Sequence, residues 1–143
     1  MRIYLDTNVL IDILSEQRPN HDYAVTLLQV IRKSPLTACL STQSVIDASY
    51  VFTQSGKAPL EAFKTAISVV SSIIDIVSIG KDDIAAADNS SIRDYEDAAQ
   101  ISCALNNRCD AIISSDRKFK GYTQLPTYSP REFYTLLFGT SKL

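Results

Sequence analysis

The amino-terminal stretch constrains the fold most, because an apolar strand pattern passes directly into a helix pattern. Ile3-Tyr4-Leu5 is apolar, and the acid Asp6 follows at once. Apolar residues then return at helical spacing from Val9 to Leu14. The pattern predicts a buried strand, then a helix, with Asp6 at the carboxyl end of the strand. That end faces the ligand crevice of open α/β sheets, but an Asp there is also a good helix cap, so both interpretations stay open.

The bulk properties predict one compact globular domain spanning positions 1–143. Hydrophobic residues make up 45% of the chain and there are only four glycines. No apolar run reaches the roughly 20 residues that a membrane-spanning helix needs. The first strand begins within two residues of the start, which leaves no room for a signal peptide, so we expect a cytoplasmic protein.

Cysteine and charge counts exclude other classes of site. Three cysteines accompany a single histidine and lack metal-ligand spacing, which argues against zinc and indicates reduced thiols. The formal net charge of −2 is not typical of a nucleic-acid-binding protein. Overall charge is a poor guide, however, if the acids gather in one place and a metal neutralises them.

Short apolar runs alternate with helical patterns along the rest of the chain. This alternation predicts a parallel sheet covered by helices on both faces. The further strands are expected at positions 36–40, 75–79, 111–113 and 126–128.

A helix predicted over positions 42–54 is apolar on nearly every side, so we expect it to be buried. Asp47 lies in its middle. An unpaired buried carboxylate is expensive, so Asp47 should be paired, protonated or bound to a cation. The alternative is that Asp47 faces a solvated notch or pairs with an arginine.

Three acids begin the helix that follows Arg93. Asp94 and Asp97 share a face with Ile101 and Ala104, which places Asp97 on the inward side. Glu96 is predicted to project away from this face and to be solvated. Acids in a first helical turn are also ordinary, because they complement the helix dipole.

Asp116 follows the strand at 111–113, as Asp6 follows the first strand. Asp6, Asp47, Asp97 and Asp116 therefore should meet at one edge of a parallel sheet. Like charges cannot gather there without a counter-cation. Oxygen ligands favour Mg²⁺ or Mn²⁺, and such sites act on phosphates by activating a water.

Three motifs in this order and spacing resemble the PIN domain family. They are Leu5-Asp6-Thr7-Asn8-Val9-Leu10, Asp94-Tyr95-Glu96-Asp97-Ala98 and Ile113-Ser114-Ser115-Asp116-Arg117-Lys118-Phe119. The resemblance covers essentially the whole chain. In length and early start the chain is similar to the toxin ribonucleases of VapBC toxin–antitoxin modules.

The resemblance implies a three-layer α/β/α sandwich with a central parallel sheet and an Mg²⁺- or Mn²⁺-dependent endoribonuclease. Asp6, Asp97 and Asp116 would hold the metal, and Asp47 would complete the acidic pocket and orient the attacking water. The family more often has glutamate where this chain has Asp47. The shorter aspartate either acts through a water or tightens the pocket around a single ion.

The resemblance also assigns supporting roles and partners. Asn8 and Ser114 would hydrogen-bond the carboxylates, and Asp94 would bind a second ion or a water. A small antitoxin protein and a homodimer are the implied protein partners. The candidates for holding RNA phosphates flank the acids in sequence, with a solvated loop as the alternative: Arg93, Arg117, Lys118 and Lys120.

Three other functions stay open at this point. A haloacid-dehalogenase-like phosphatase also begins with a strand-end aspartate, but its chemistry needs an acid at the position that Asn8 occupies. A second alternative is a PIN nuclease that processes RNA without being a toxin. The non-enzymatic reading is a receiver-like or inactive module that binds RNA or protein.

Overall fold

Five strands form one parallel sheet in the computed structural model, which describes residues 1–54, 59–116, 119, 121–122 and 124–140. The strand order is β3-β2-β1-β4-β5, and every neighbouring pair is parallel. The strands are β1 (Arg2–Leu5), β2 (Thr37–Ser41), β3 (Asp75–Val77), β4 (Ala111–Ile113) and β5 (Thr127–Tyr128).

Helices connect β1 to β2, β2 to β3 and β3 to β4, as the alternating sequence pattern predicts, and a further helix follows β5. Their bounds are α1 (Thr7–Leu14), α2 (His21–Lys33), α3 (Thr42–Thr53), α4 (Leu60–Ser71), α5 (Lys81–Asp88), α6 (Tyr95–Asn106) and α7 (Pro130–Phe138). The sequence analysis predicts that β3 ends at position 79, but the strand ends two residues earlier, at Val77.

The sheet has a hydrophobic core on each face, because successive strand residues point to opposite sides. Ile3 and Leu5 of β1 pack in one core with residues of α1, α2, α3, α4 and α7. Tyr4, between them, packs in the other core with Ile101 and Ala104 of α6. Helices therefore cover both faces, and the predicted three-layer sandwich is confirmed.

The chain changes direction across the sheet between β1 and β4. The connections from β1 lead outward to β2 and β3, whereas β4 returns to the other side of β1 and leads to β5. Leu5 pairs with Ile113 in this junction, so both strands end at the same level. Such a switch point opens a crevice at the carboxyl ends of the two central strands.

Side-chain caps begin several of the helices. Ser41 Oγ accepts from the backbone N–H of Ser44 at the start of α3. At α7, Ser129 and Glu132 form a reciprocal capping box, with Pro130 as the first helical residue. These polar residues satisfy backbone donors that the helix cannot pair internally.

The prediction that α3 is buried is wrong. Ile46 and Tyr50 are 64% and 69% exposed, and Ser44 and Ala48 are its fully buried residues. The helix packs by one side against α1 and α4, which leaves its opposite side to solvent. Among the described residues, no helix is long and apolar enough to cross a membrane.

Candidate active site

Asp6 lies at the switch point as the N-cap residue of α1, only 4% exposed. Its carboxylate accepts hydrogen bonds from the backbone N–H of Thr7 at 2.7 Å and from Ser114 Oγ at 2.8 Å. The capping residue is thus Asp6 itself. Asp6 therefore caps α1 and also lies at the carboxyl end of β1, so both predictions for its position hold.

Ser114 joins the ends of β1 and β4. Its hydroxyl donates to Asp6 Oδ2 and accepts from the backbone N–H of Asp116 at 3.0 Å. Asp116 is half-buried, and its negative charge helps to raise the pKa of both Asp6 and Asp97. One buried serine therefore fixes the spacing between two of the sequence-predicted acids.

Asp97 reaches the same place from the first turn of α6. It is 6% exposed, and Tyr122 donates its hydroxyl to Asp97 Oδ2 at 3.3 Å. Asp94 is the exposed N-cap of α6 and accepts from the backbone N–H of Asp97. Asp94 thus holds the helix end.

Burial is the largest cause that raises the pKa of Asp97, to about 6, and the charges of Asp94, Asp6 and Asp116 add to it. The bond from Tyr122 opposes this rise. Burial also raises the pKa of Asp6, against the opposing hydrogen bonds from Ser114, Thr7 and Gln100. The cluster is therefore costly to charge.

Glu96 belongs to this cluster, although the sequence predicts that it projects away. It is exposed as predicted, but burial of part of its side chain raises its pKa, and the charges of Asp47, Asp6 and Asp94 raise it further. It lies beside Asp97 on α6, so its side chain follows the edge of the same helical face. Its predicted exposure is confirmed, and its charge interacts with the acids of the cluster.

Gln100 is a site residue that the sequence analysis missed. It is buried; its Nε2 donates to Glu96 Oε1 at 3.1 Å, and its Oε1 accepts from the Tyr4 hydroxyl at 3.2 Å. The available signal was its spacing, four residues after Glu96 and three after Asp97.

Asp47 and Asn8 lie differently from expectation. Asp47 is half-buried on α3 and accepts a hydrogen bond from Gln43 Nε2 at 2.8 Å. Its negative charge helps to raise the pKa of Glu96. Its surroundings match the solvated notch better than a closed pocket. Within the described ranges, Asn8 makes no hydrogen bond to a carboxylate, contrary to its predicted supporting role.

No described cation neutralises Asp6, Asp97 or Glu96. The ion pairs between described residues are Arg2–Asp75, Arg18–Asp12 and Lys64–Glu61, and none of them includes these three acids. Arg93 is exposed next to Asp94. The other predicted phosphate-binding residues lie outside the described residues: Arg117, Lys118 and Lys120.

The donor chemistry of the cluster fits a hard divalent cation. Every charged group in it is a carboxylate, and such oxygens are the ligands that Mg²⁺ and Mn²⁺ prefer. Over the described part of the chain, no three Asp, Glu, His or Cys side chains are already close enough to share one ion. A shared ion would therefore require these carboxylates to lie closer together than they do here.

A second buried acid lies near the cluster but is fully paired. Asp12 is 1% exposed and accepts from Arg18 Nε and from Ser115 Oγ, both at 2.9 Å. Ser115 follows Ser114 directly, so these neighbouring serines bind two different aspartates. Sequence reasoning missed Asp12 because an acid on an amphipathic helix is usually on its solvated side.

Fold and site together define an α/β/α protein with a cluster of acids at its topological switch point. The chain belongs to the PIN domain family, because the family model for the PIN domain matches residues 2–118. This membership decides against the haloacid-dehalogenase interpretation of the strand-end aspartate.

Comparison with individual proteins agrees with the family. The chain is 26% identical over 123 residues to Ribonuclease VapC1 of Aquifex aeolicus. The aligned region covers 82% of this chain and 83% of the relative. VapBC2 from Rickettsia felis, solved bound to a promoter DNA fragment, has a TM-score of 0.68 at 16% identity, covering 90% of this chain and 98% of that one. Mycobacterium tuberculosis VapC20, a sarcin–ricin loop cleaving toxin, has a TM-score of 0.65 at 13% identity, covering 83% and 93%.

Proposed function

We propose that the protein is a divalent-metal-dependent endoribonuclease and the toxin of a toxin–antitoxin pair. The observation that carries the proposal is the Ser114 hydroxyl, which links the buried Asp6 carboxylate to the backbone of Asp116 at the switch point, with no described cation paired to Asp6 or to the buried Asp97. Family membership and the VapC1 relative support the ribonuclease activity.

Asp6, Asp97 and Asp116 are the residues that would hold Mg²⁺ or Mn²⁺. Such an ion lowers the pKa of a water and stabilises the leaving oxygen of a phosphodiester. Ser114 orients Asp6, and Tyr122 orients Asp97. These hydrogen bonds keep the carboxylate oxygens directed into the crevice, where a metal requires them.

Glu96 and Asp47 occupy the outer side of the cluster. Gln100 holds Glu96, and Gln43 holds Asp47. We assign to Asp47 the orientation of the attacking water. Asp94 contributes through the end of α6, which it caps.

The toxin assignment implies RNA as the substrate, a small antitoxin protein as the partner and the cytoplasm as the location. The names of the structural relatives support the antitoxin partner. Expression of the chain alone should arrest growth, and co-expression of the protein encoded beside it should restore growth. The homodimer stays a prediction, which sedimentation equilibrium tests.

The direct experiment is cleavage of a panel of single-stranded and looped RNAs in Mg²⁺, Mn²⁺ or excess chelator. We expect internal cleavage with either ion, none in chelator, and none by Asp6→Asn. The matched control is Asp22→Asn, which neutralises an exposed acid in the first turn of α2 and should cut as the wild type does. Full cleavage in chelator, or by Asp6→Asn, would contradict the proposal.

A further inference from the structure

An open cavity of about 480 Å³ lies beside the acid cluster. Its volume falls in the range of small-molecule sites, and it adjoins the site through Tyr122, whose hydroxyl bonds Asp97. The lining residues come from the segment before α6 and from the segment after Phe119: Ser91, Ile92, Arg93, Gly121, Tyr122 and Gln124.

We propose, resting on the ribonuclease function above, that this cavity binds the RNA nucleotide adjacent to the scissile phosphate. The base lies against the Tyr122 ring and the flanking phosphate contacts Arg93.

Tyr122 is held in a fixed position for this role. Its ring packs edge-on against the buried ring of Phe119, with centroids 5.9 Å apart, and its hydroxyl is tied to Asp97. The half-buried ring therefore presents a stable apolar surface at the boundary between cavity and cluster. Aromatic rings bind single-stranded bases by stacking, at about 1–3 kcal/mol per base.

Arg93 supplies the positive charge that the acid cluster lacks. It is exposed, immediately precedes Asp94, and makes no ion pair with any described residue. An RNA strand that brings its phosphate to the carboxylates meets repulsion from the described acids of the cluster. A guanidinium binds phosphate through paired N–H donors, so Arg93 offsets that repulsion one nucleotide away.

Polar groups at the rim allow the cavity to distinguish bases. The Ser91 hydroxyl and the Gln124 amide both line it, and both residues are exposed. A splayed single-stranded base offers its hydrogen-bonding edge to such groups, whereas a base inside a duplex does not. The cavity thus favours unpaired RNA and a preference at one position beside the cut.

The test combines steady-state kinetics with sequencing of cleavage products from a randomised RNA. For Arg93→Gln and Tyr122→Leu, we expect KM to rise about tenfold and the base preference at one flanking position to flatten. Tyr122→Phe keeps the ring and should keep the base preference. Arg32→Gln, which removes an exposed cation outside the cavity, is the matched control and should leave KM and preference unchanged.

The outcomes separate this proposal from the ribonuclease function itself. If the wild type cuts RNA but Arg93→Gln and Tyr122→Leu retain its KM and base preference, the subsite is wrong and the nuclease stands. If the same variants lose only binding of the antitoxin, the cavity receives a protein segment instead, which also overturns the proposal. Because Arg93 is exposed, Arg93→Gln remains a folded test if Tyr122→Leu fails to fold.

Discussion

Asp6 at the start of α1 and Asp12 near its end are almost equally buried, but their hydrogen-bond partners differ in charge. Asp12 has the Arg18 guanidinium and the Ser115 hydroxyl as partners. Among the described residues, the donors to Asp6 are neutral groups of Ser114, Thr7 and Gln100, and the acid Asp116 lies nearby. Burial without a cation is expensive, so the difference supports our proposal that Asp6 binds a cation, whereas Asp12 is already paired.

The largest expected difference between the two is in catalysis. Asp6→Asn should lower the rate of RNA cleavage at least about a thousandfold, equivalent to about 4 kcal/mol of transition-state stabilisation, because it removes the central carboxylate. Asp12→Asn should stay within about tenfold of the wild type, since it acts only through the position of Ser115. Single-turnover cleavage measures both. Equal losses would remove the distinction between the aspartates.

The second difference is in stability. Arg18→Met deprives the buried Asp12 of its cation and should lower the free energy of unfolding by about 3 kcal/mol in a urea titration of metal-free protein. The double variant with Asp12→Asn should recover part of that loss, because no buried charge then remains. Arg32→Met, at an exposed cation of α2, is the control and should change little. A loss for Arg18→Met no larger than the control would show that Asp12 does not need its partner.

The acid cluster should make the metal-free protein less stable as the pH rises. The folded protein raises the pKa of Asp97 to about 6 from an ordinary value near 3.8, so it binds a proton more tightly than the unfolded chain. This contribution is complete below about pH 4 and is lost as the pH rises to about 6, amounting to about 1–3 kcal/mol.

Asp97→Asn checks this pH dependence. The variant should be more stable than the wild type at pH 7 without metal, and its stability should change less between pH 4 and 6. Urea unfolding at several pH values gives both curves. If the stability of the wild type changes between pH 4 and 6 by the same amount as that of the variant, Asp97 is not buried at an electrostatic cost and this explanation is contradicted.

The smallest effects should come from the two neighbouring serines. Ser114→Ala removes the hydroxyl that orients Asp6 and should weaken Mn²⁺ binding about tenfold or more. Ser115→Ala removes a bond to Asp12 and should cost about 1 kcal/mol of stability with Mn²⁺ affinity unchanged. Each serine is the control for the other, and interchanged effects would reverse the roles given to their aspartates.

Position along the chain was enough to predict the acids that follow strands. Asp6 and Asp116 come directly after apolar runs, and parallel strands end at one edge of a sheet, so their convergence follows from topology alone. Asp97 was placed by its inward helical face. The three-layer fold was predicted by the alternation of strand and helix patterns.

The direction of the Glu96 side chain and the one-sided packing of α3 could not be predicted from the sequence. Glu96 is one position before Asp97, about 100° around the helix, and whether that edge faces the site depends on how α6 lies on the sheet. The exposure of Ile46 and Tyr50 depends on which neighbours cover α3, and an apolar composition does not reveal that. The Asp12 partners, Arg18 and Ser115, come from separate segments that only the tertiary structure brings together.

Calorimetric titration with Mn²⁺ tests the central claim most directly, namely that the cluster around Asp6 is completed by a divalent cation. The wild type and Asp12→Asn should both bind Mn²⁺, whereas Asp6→Asn should lose binding by at least about a hundredfold, because it removes a ligand carboxylate rather than a paired structural one. Absence of Mn²⁺ binding by the wild type, or equal affinity of Asp6→Asn and the wild type, would contradict the account.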